Sequence, residues 1–200
     1  MMRSAVLCTI LVLAGCGGTT NPVPPGGISF QFTRPPGHVY ALYTGPVRPA
    51  LDAIGVKGTF SQASNTLTFT AQMAGPIVVG APNYYVWGIN RGGATNAPFP
   101  GEPNIVFNAV VVVTVNPDGT ASGSVVLLPG GATPLDSSAI SISQNFISET
   151  FPASLLPSTG AQISGYMWNL WPRSGLGGTP QAQIQTFAPE NAELPFLLIP

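Results

Sequence analysis

The chain has 200 residues, and only 6% of them are charged against a usual ~25%. Six basic and seven acidic side chains give a net charge of −1, which leaves no basic patch to neutralise phosphates and argues against a nucleic-acid partner. One histidine and two cysteines offer little for metal or nucleophilic chemistry, and no block of like charge marks a disordered tail.

Met1-Met2-Arg3 places one positive charge before an apolar run, AVLCTILVL, at 5–13. That run is far short of the ~18 residues needed to span a bilayer. A positive start, a short apolar stretch and the small residues Ala14 and Gly15 describe an export signal. Leu13-Ala14-Gly15-Cys16 resembles the lipobox of bacterial lipoproteins. The resemblance implies cleavage between Gly15 and Cys16, a diacylglycerol thioether on Cys16, and usually acylation of the new N-terminus. At ~0.8 kcal/mol per buried CH₂, one acyl chain binds a membrane marginally, whereas two or three hold for the protein's lifetime. Gly17, not aspartate, follows the cysteine. By the same resemblance this implies the outer membrane in a two-membrane cell, and the outer face of the cytoplasmic membrane in a single-membrane one. Cys8 leaves with the signal and Cys16 is blocked by lipid, so the fold is expected to rest on its core with no disulfide.

Residues 17–27, GGTTNPVPPGG, read as a tether reaching roughly 36 Å when stretched at ~3.3 Å per residue. Residues 1–15 are thus expected to be a cleaved signal, 16–27 a lipidated cysteine with its tether, and 28–200 one domain. Strand signals then recur, at 28–32, 38–43 and 55–60. The clearest is TLTFTAQM at 66–73, with Leu67, Phe69, Ala71 and Met73 on one face and Thr66, Thr68, Thr70 and Gln72 on the other. Further strands are expected at 84–90 and at 105–115, IVFNAVVVVTV, a β-branched run apolar on both faces. Asn116-Pro117-Asp118-Gly119 supplies a tight turn, and 120–128 returns as the second arm of a hairpin. Residues 139–146 and 163–170 complete the series.

Eight or nine short strands between Gly/Pro loops predict an all-β fold, a single antiparallel β-sandwich of immunoglobulin-like type, with a closed barrel as the alternative. An outer-membrane pore is not expected, because the turns are proline-rich and no outward apolar band repeats. Tyr84-Tyr85-Val86-Trp87, the strand ending in Pro117-Asp118-Gly119-Thr120, and residues 139–143 together resemble the extracytoplasmic C-terminal domain of the anti-sigma-K factor family. That resemblance implies a sandwich and carries no function with it.

Candidates for chemistry are few. His38 is the only histidine and reads as a hydrogen-bonded edge or loop residue sooner than as a general base. No serine sits in a G-x-S-x-G elbow, and GTASG at 119–123 misses the spacing and lies in a hairpin arm. No D-x-D cluster invites calcium, and GLGG at 175–178 precedes no helix that could hold a phosphate. Glu190 and Glu193 read as a solvated pair. No catalytic residue, metal ligand or cofactor is expected, and the chain does not read as an enzyme.

One feature is unusual. Tyr85-Val86-Trp87-Gly88-Ile89-Asn90-Arg91 is echoed by Tyr166-Met167-Trp168-Asn169-Leu170-Trp171-Pro172-Arg173, each arginine entering a Gly-rich loop. On a strand, the tyrosine, the tryptophan and the aliphatic residue share a face. Both trios suit a core. In the second copy, however, Gln162 and Ser164 share the aromatic face. Either a bulge at Gly165 shifts the register, or Tyr85, Trp87, Arg91, Tyr166, Trp168, Trp171 and Arg173 present an exposed platform for a sugar or a protein. The function expected is that of a lipid-anchored, non-catalytic lipoprotein of the cell envelope that binds another envelope or surface protein. A carbohydrate-binding lipoprotein using those aromatic residues is the alternative, and an envelope hydrolase ranks third.

Overall fold

The computed structural model describes residues 28–93 and 98–200. The expected signal peptide, lipobox with Cys16 and tether, at 1–27, lie outside the described residues. The alternation at 66–73 becomes β3 (Thr66–Met73), with Leu67, Phe69, Ala71 and Met73 fully buried. Its antiparallel neighbours are β2 (Ala53–Ser61), which starts two residues earlier than 55–60 and runs one further, and β9 (Phe146–Pro152). β1 (Phe32–Thr33) and, in parallel, β12 (Leu197–Ile199) share the outer edge of β2, and β8 (Ile140–Ser143) closes the opposite edge beyond β9.

The second sheet is an antiparallel series built around the two aromatic stretches. β4 (Asn83–Asn90) lies between β10 (Met167–Arg173) and β5 (Ala109–Val115), followed by β6 (Ala121–Leu127) and β7 (Ala132–Leu135), while β11 (Leu194–Pro195) edges β10. The expected hairpin joins β5 to β6. Its turn is closed by the Gly119 amide donating to the Asn116 carbonyl at 3.0 Å, with Gly119 at φ +84°. That angle lies where a side chain would strain the backbone.

The two sheets pack face to face over one apolar core. Phe69 stacks on Trp87 at 4.6 Å between ring centroids, and Trp168 meets Phe69 edge-on at 5.4 Å and Trp87 at 5.6 Å. Gly58 on β2 makes room for this cluster, since a Cβ there would lie 2.6 Å from the Trp168 indole nitrogen. A third layer follows outside the second sheet. Val86, Val110, Val112 and Trp171 point away from the main core, under a loop cover that brings in Tyr40, Phe99, Ile105, Ile184 and Phe187. This cover explains why 105–115 reads as apolar on both faces: β5 has protein on each side.

The cover also accounts for several differences from expectation. Residues 38–43 form a turn, not a strand, with the Tyr40 amide donating to the Gln185 carbonyl across the layer. Residues 105–108 stay outside β5 because Asn108 is taken up by Arg91, described below. The segment 139–146 holds the end of a 3-10 turn (Ser137–Ala139), then β8, then a reversal at Gln144 with φ +53°, and Phe146 already opens β9. β7, β9, β11 and β12 carry no clear strand signal of their own.

Candidate functional site

The aromatic echo resolves into packing. β4 and β10 are antiparallel neighbours, so the two stretches pair with each other: Trp87 stands opposite Leu170, Trp168 opposite Ile89, and Tyr85 opposite Pro172. A 3-10 turn (Ile163–Gly165), not a bulge, precedes β10, which is why the parity of Gln162 and Ser164 says nothing about the faces of the strand. Trp168 and Leu170 then point into the main core, and Trp171 into the outer layer. Tyr85, Trp87, Tyr166 and Trp168 are fully buried and Trp171 nearly so, which replaces the exposed platform with a core. Tyr85 donates to the Ala50 carbonyl at 2.8 Å and Tyr166 to the Leu156 carbonyl at 2.9 Å.

The two arginines are separated to opposite ends of the pairing. Arg91 is 3% exposed and acts as a fork. Its Nε donates to Asn108 Oδ1 at 2.9 Å, one terminal nitrogen to the Asn108 carbonyl at 2.8 Å and the other to the Pro157 carbonyl at 2.8 Å. Three donors fixed in one plane tie β4 to two loops. Arg173, half-buried, donates to Gln183 Oε1 at 2.7 Å. The Arg91 guanidinium is thus used up in the fold, while Arg173 keeps a buried Nε with no acceptor.

His38 lies in a loop, with Nε2 2.6 Å from Glu190 Oε2, and both side chains are more than a third exposed. Glu190 and Glu193 are therefore not a solvated pair. Glu193 accepts from the Val106 amide at 2.8 Å and from Asn90 at 3.5 Å, and burial pushes its carboxyl up. Among the described residues, no group of three or more histidine, cysteine or acidic side chains is placed to hold a metal ion.

An open apolar surface lies where the sequence did not single one out. Two clefts adjoin at Pro76, at the end of the sandwich where β3 leaves and β4 begins. One, of about 350 Å³, is lined by Val47, Arg48, Pro49, Ala50, Pro76 and Val79. The other, of about 310 Å³, runs between Ala74, Gly75, Pro76, Gln144 and Asn145. Val47 is 62% exposed. The floor is tightly held. Gly75 donates to the Pro49 carbonyl at 3.1 Å, Ala74 to that of Asp52 at 2.8 Å and Ile77 to that of Gln144 at 2.9 Å, and Asn145 donates to the Met73 carbonyl at 2.8 Å. Arg48 is held by a two-way exchange between its backbone and the Gln185 amide group, and its guanidinium reaches Asn83 Oδ1 at 3.2 Å. The Arg48 Nε is buried with no acceptor. A pinned apolar surface beside an arginine is suited to contact. An exposed valine in a Pro-rich loop looks the same in sequence as a buried one, so no signal pointed here.

No protein-family model matches the chain, and no curated protein or solved structure matches it.

Proposed function

We propose that the chain is a lipid-anchored extracytoplasmic lipoprotein whose sandwich binds another envelope or surface protein without chemistry of its own. The anchoring half rests on Leu13-Ala14-Gly15-Cys16 after its short apolar run. The binding half is carried by one observation, the apolar end surface in which Val47, exposed, and Val79 stand over a hydrogen-bonded floor beside Arg48. Interfaces combine an apolar centre with arginine anchors and a polar rim. The matching surface on the partner is an aliphatic side chain next to a carboxylate or a carbonyl, which Arg48 completes.

A photo-activatable residue at Val47, with one at Thr133 on β7 as control, tests this in intact cells. The expected result is one dominant adduct from position 47, absent from position 133 and lost when Val79→Asp puts a charge into the surface. Equal background labelling at both positions overturns the reading.

A further inference from the structure

The outward face of the first sheet has an unusual chemistry, built by the same alternation that fills the core. On β3 it carries Thr66, Thr68 and Thr70, on β9 Ser148 and Thr150, on β8 Ser141 and Ser143, and on β2 Thr59 and Ser61. The register aligns these hydroxyls in rows. Thr59, Thr68 and Thr150 form one row, and Lys57, Thr70, Ser148 and Ser141 the next. Some pair across strands, Thr68 with Thr150 at 2.8 Å and Thr70 with Ser148 at 3.1 Å, and Ser148 donates to the Phe69 carbonyl at 2.9 Å. Among the described residues, the Ser141 and Ser143 hydroxyls have no side-chain hydrogen bond and remain free both to donate and to accept.

At one corner the array meets aromatic rings. Phe30 crosses the face above Gly55, where a Cβ would lie 2.9 Å from its ring, and stacks nearly parallel to Phe146 at 6.4 Å and 11°. Beside this pair is a trough of about 190 Å³ lined by Ile28, Thr70, Ser141, Ser143, Phe146 and Ser148. Its lining contains no ionisable group, four hydroxyls, one aromatic ring and one aliphatic side chain. A cation finds no counter-charge there, and Lys57, opposite Thr70, stands outside the lining. A purely apolar ligand would strip water from hydroxyls without replacing it. What matches is a neutral ring with C–H groups on its faces and hydroxyls round its rim, in a space that takes one such ring.

We propose that this trough is a binding subsite for a single pyranose ring of a glycan, with Phe146 against the ring and Ser141, Ser143, Ser148 and Thr70 exchanging hydrogen bonds with its hydroxyls. The site adjoins one Pro76 cleft across the β8–β9 turn, Ser143 and Phe146 lining the trough and Gln144 and Asn145 the cleft, and does not rest on the protein-partner reading. A trough this small gives weak binding for each copy, and many copies on one membrane would add to it by multivalency.

The test is an amide-resolved NMR titration of the full chain in detergent micelles with N-acetylglucosamine, cellobiose and, as a ringless polyol, glycerol. The expected result is saturable shifts at residues 141, 143, 146 and 148 with at least one sugar and not with glycerol. The Ser141→Ala/Ser143→Ala pair, exposed and fold-neutral by its retained spectrum, then weakens binding about tenfold. Three outcomes overturn the assignment: no shift at these residues with either sugar, equal shifts with glycerol, or shifts that the double substitution leaves unchanged.

Discussion

Glu149 lies on the inward face of β9, the face it shares with Ile147 and Phe151, opposite Phe69 on β3 and Ile140 on β8. It is fully buried, and neither carboxyl oxygen has a hydrogen-bond partner. Burial without a counter-charge disfavours the ionised form and holds the group well above the usual glutamate value of 4.5. The stability that follows is fully present below that value. It is lost as pH rises toward the folded-state value, because the unfolded chain releases its proton first, at about 1.4 kcal/mol for each pH unit of the window. Glu102 and Glu193, both also raised by burial, act with the same sign, whereas Asp118 and Asp136, lowered by hydrogen bonds to Thr120 and Ser138, act oppositely at lower pH. Glu149→Met removes the buried polar group at similar volume. It is expected to stabilise the fold by about 1–3 kcal/mol at neutral pH and to flatten the fall in stability above pH 4.5, both measured by urea unfolding across pH. A pH profile parallel to that of the parent would show that Glu149 does not carry the effect.

At the scale of the element, β4 and β10 depend on one close approach. Gly88 pairs with Asn169, and its outward side faces the Trp171 ring, into which any Cβ would run. Gly88→Ala therefore forces Trp171 out of its place under Phe99 and Phe107, and overpacking of this kind costs about 1–3 kcal/mol. A lower Tm with a red-shifted tryptophan emission is expected, while an unchanged emission would mean that the layer yields elsewhere. The legibility of each element follows from what covers it. β3, with hydroxyls on one face and core on the other, shows its bounds in its alternation, and β5 and β6 come within a few residues because a turn of fixed chemistry joins them. β9 was missed because Glu149 occupies an inward position and breaks the apolar pattern of FISETF. The segment at 38–43 reads as a strand for the opposite reason: its apolar residues serve the loop layer, where burial follows no period of two.

Over the whole molecule, short strand signals separated by glycine- and proline-rich loops predict a sandwich, and the two packed sheets agree with that. The aromatic stretches were legible as core material, and the structure adds that each packs beside the other. The recessed surfaces at Pro76 and on the hydroxyl face were not legible, because each is assembled from segments far apart in sequence. Attachment to a membrane belongs to this scale too. Cys16→Ser is expected to move the chain from the membrane fraction to the soluble fraction of disrupted cells and to abolish incorporation of labelled fatty acid. Retention in the membrane fraction with the serine in place would remove the anchor from the proposal.

The strand order of the two sheets bears on when the fold can form. β3 pairs with β9 and β4 with β10, so each sheet is stitched from an early and a late part of the chain. Neither half holds a complete sheet, and the core cannot close before Trp168 arrives to meet Phe69 and Trp87. Such dependence on distant partners makes for slow folding. The same stitching means that a single protease nick in the exposed Gly130–Gly131 turn would leave two fragments still bound to one another.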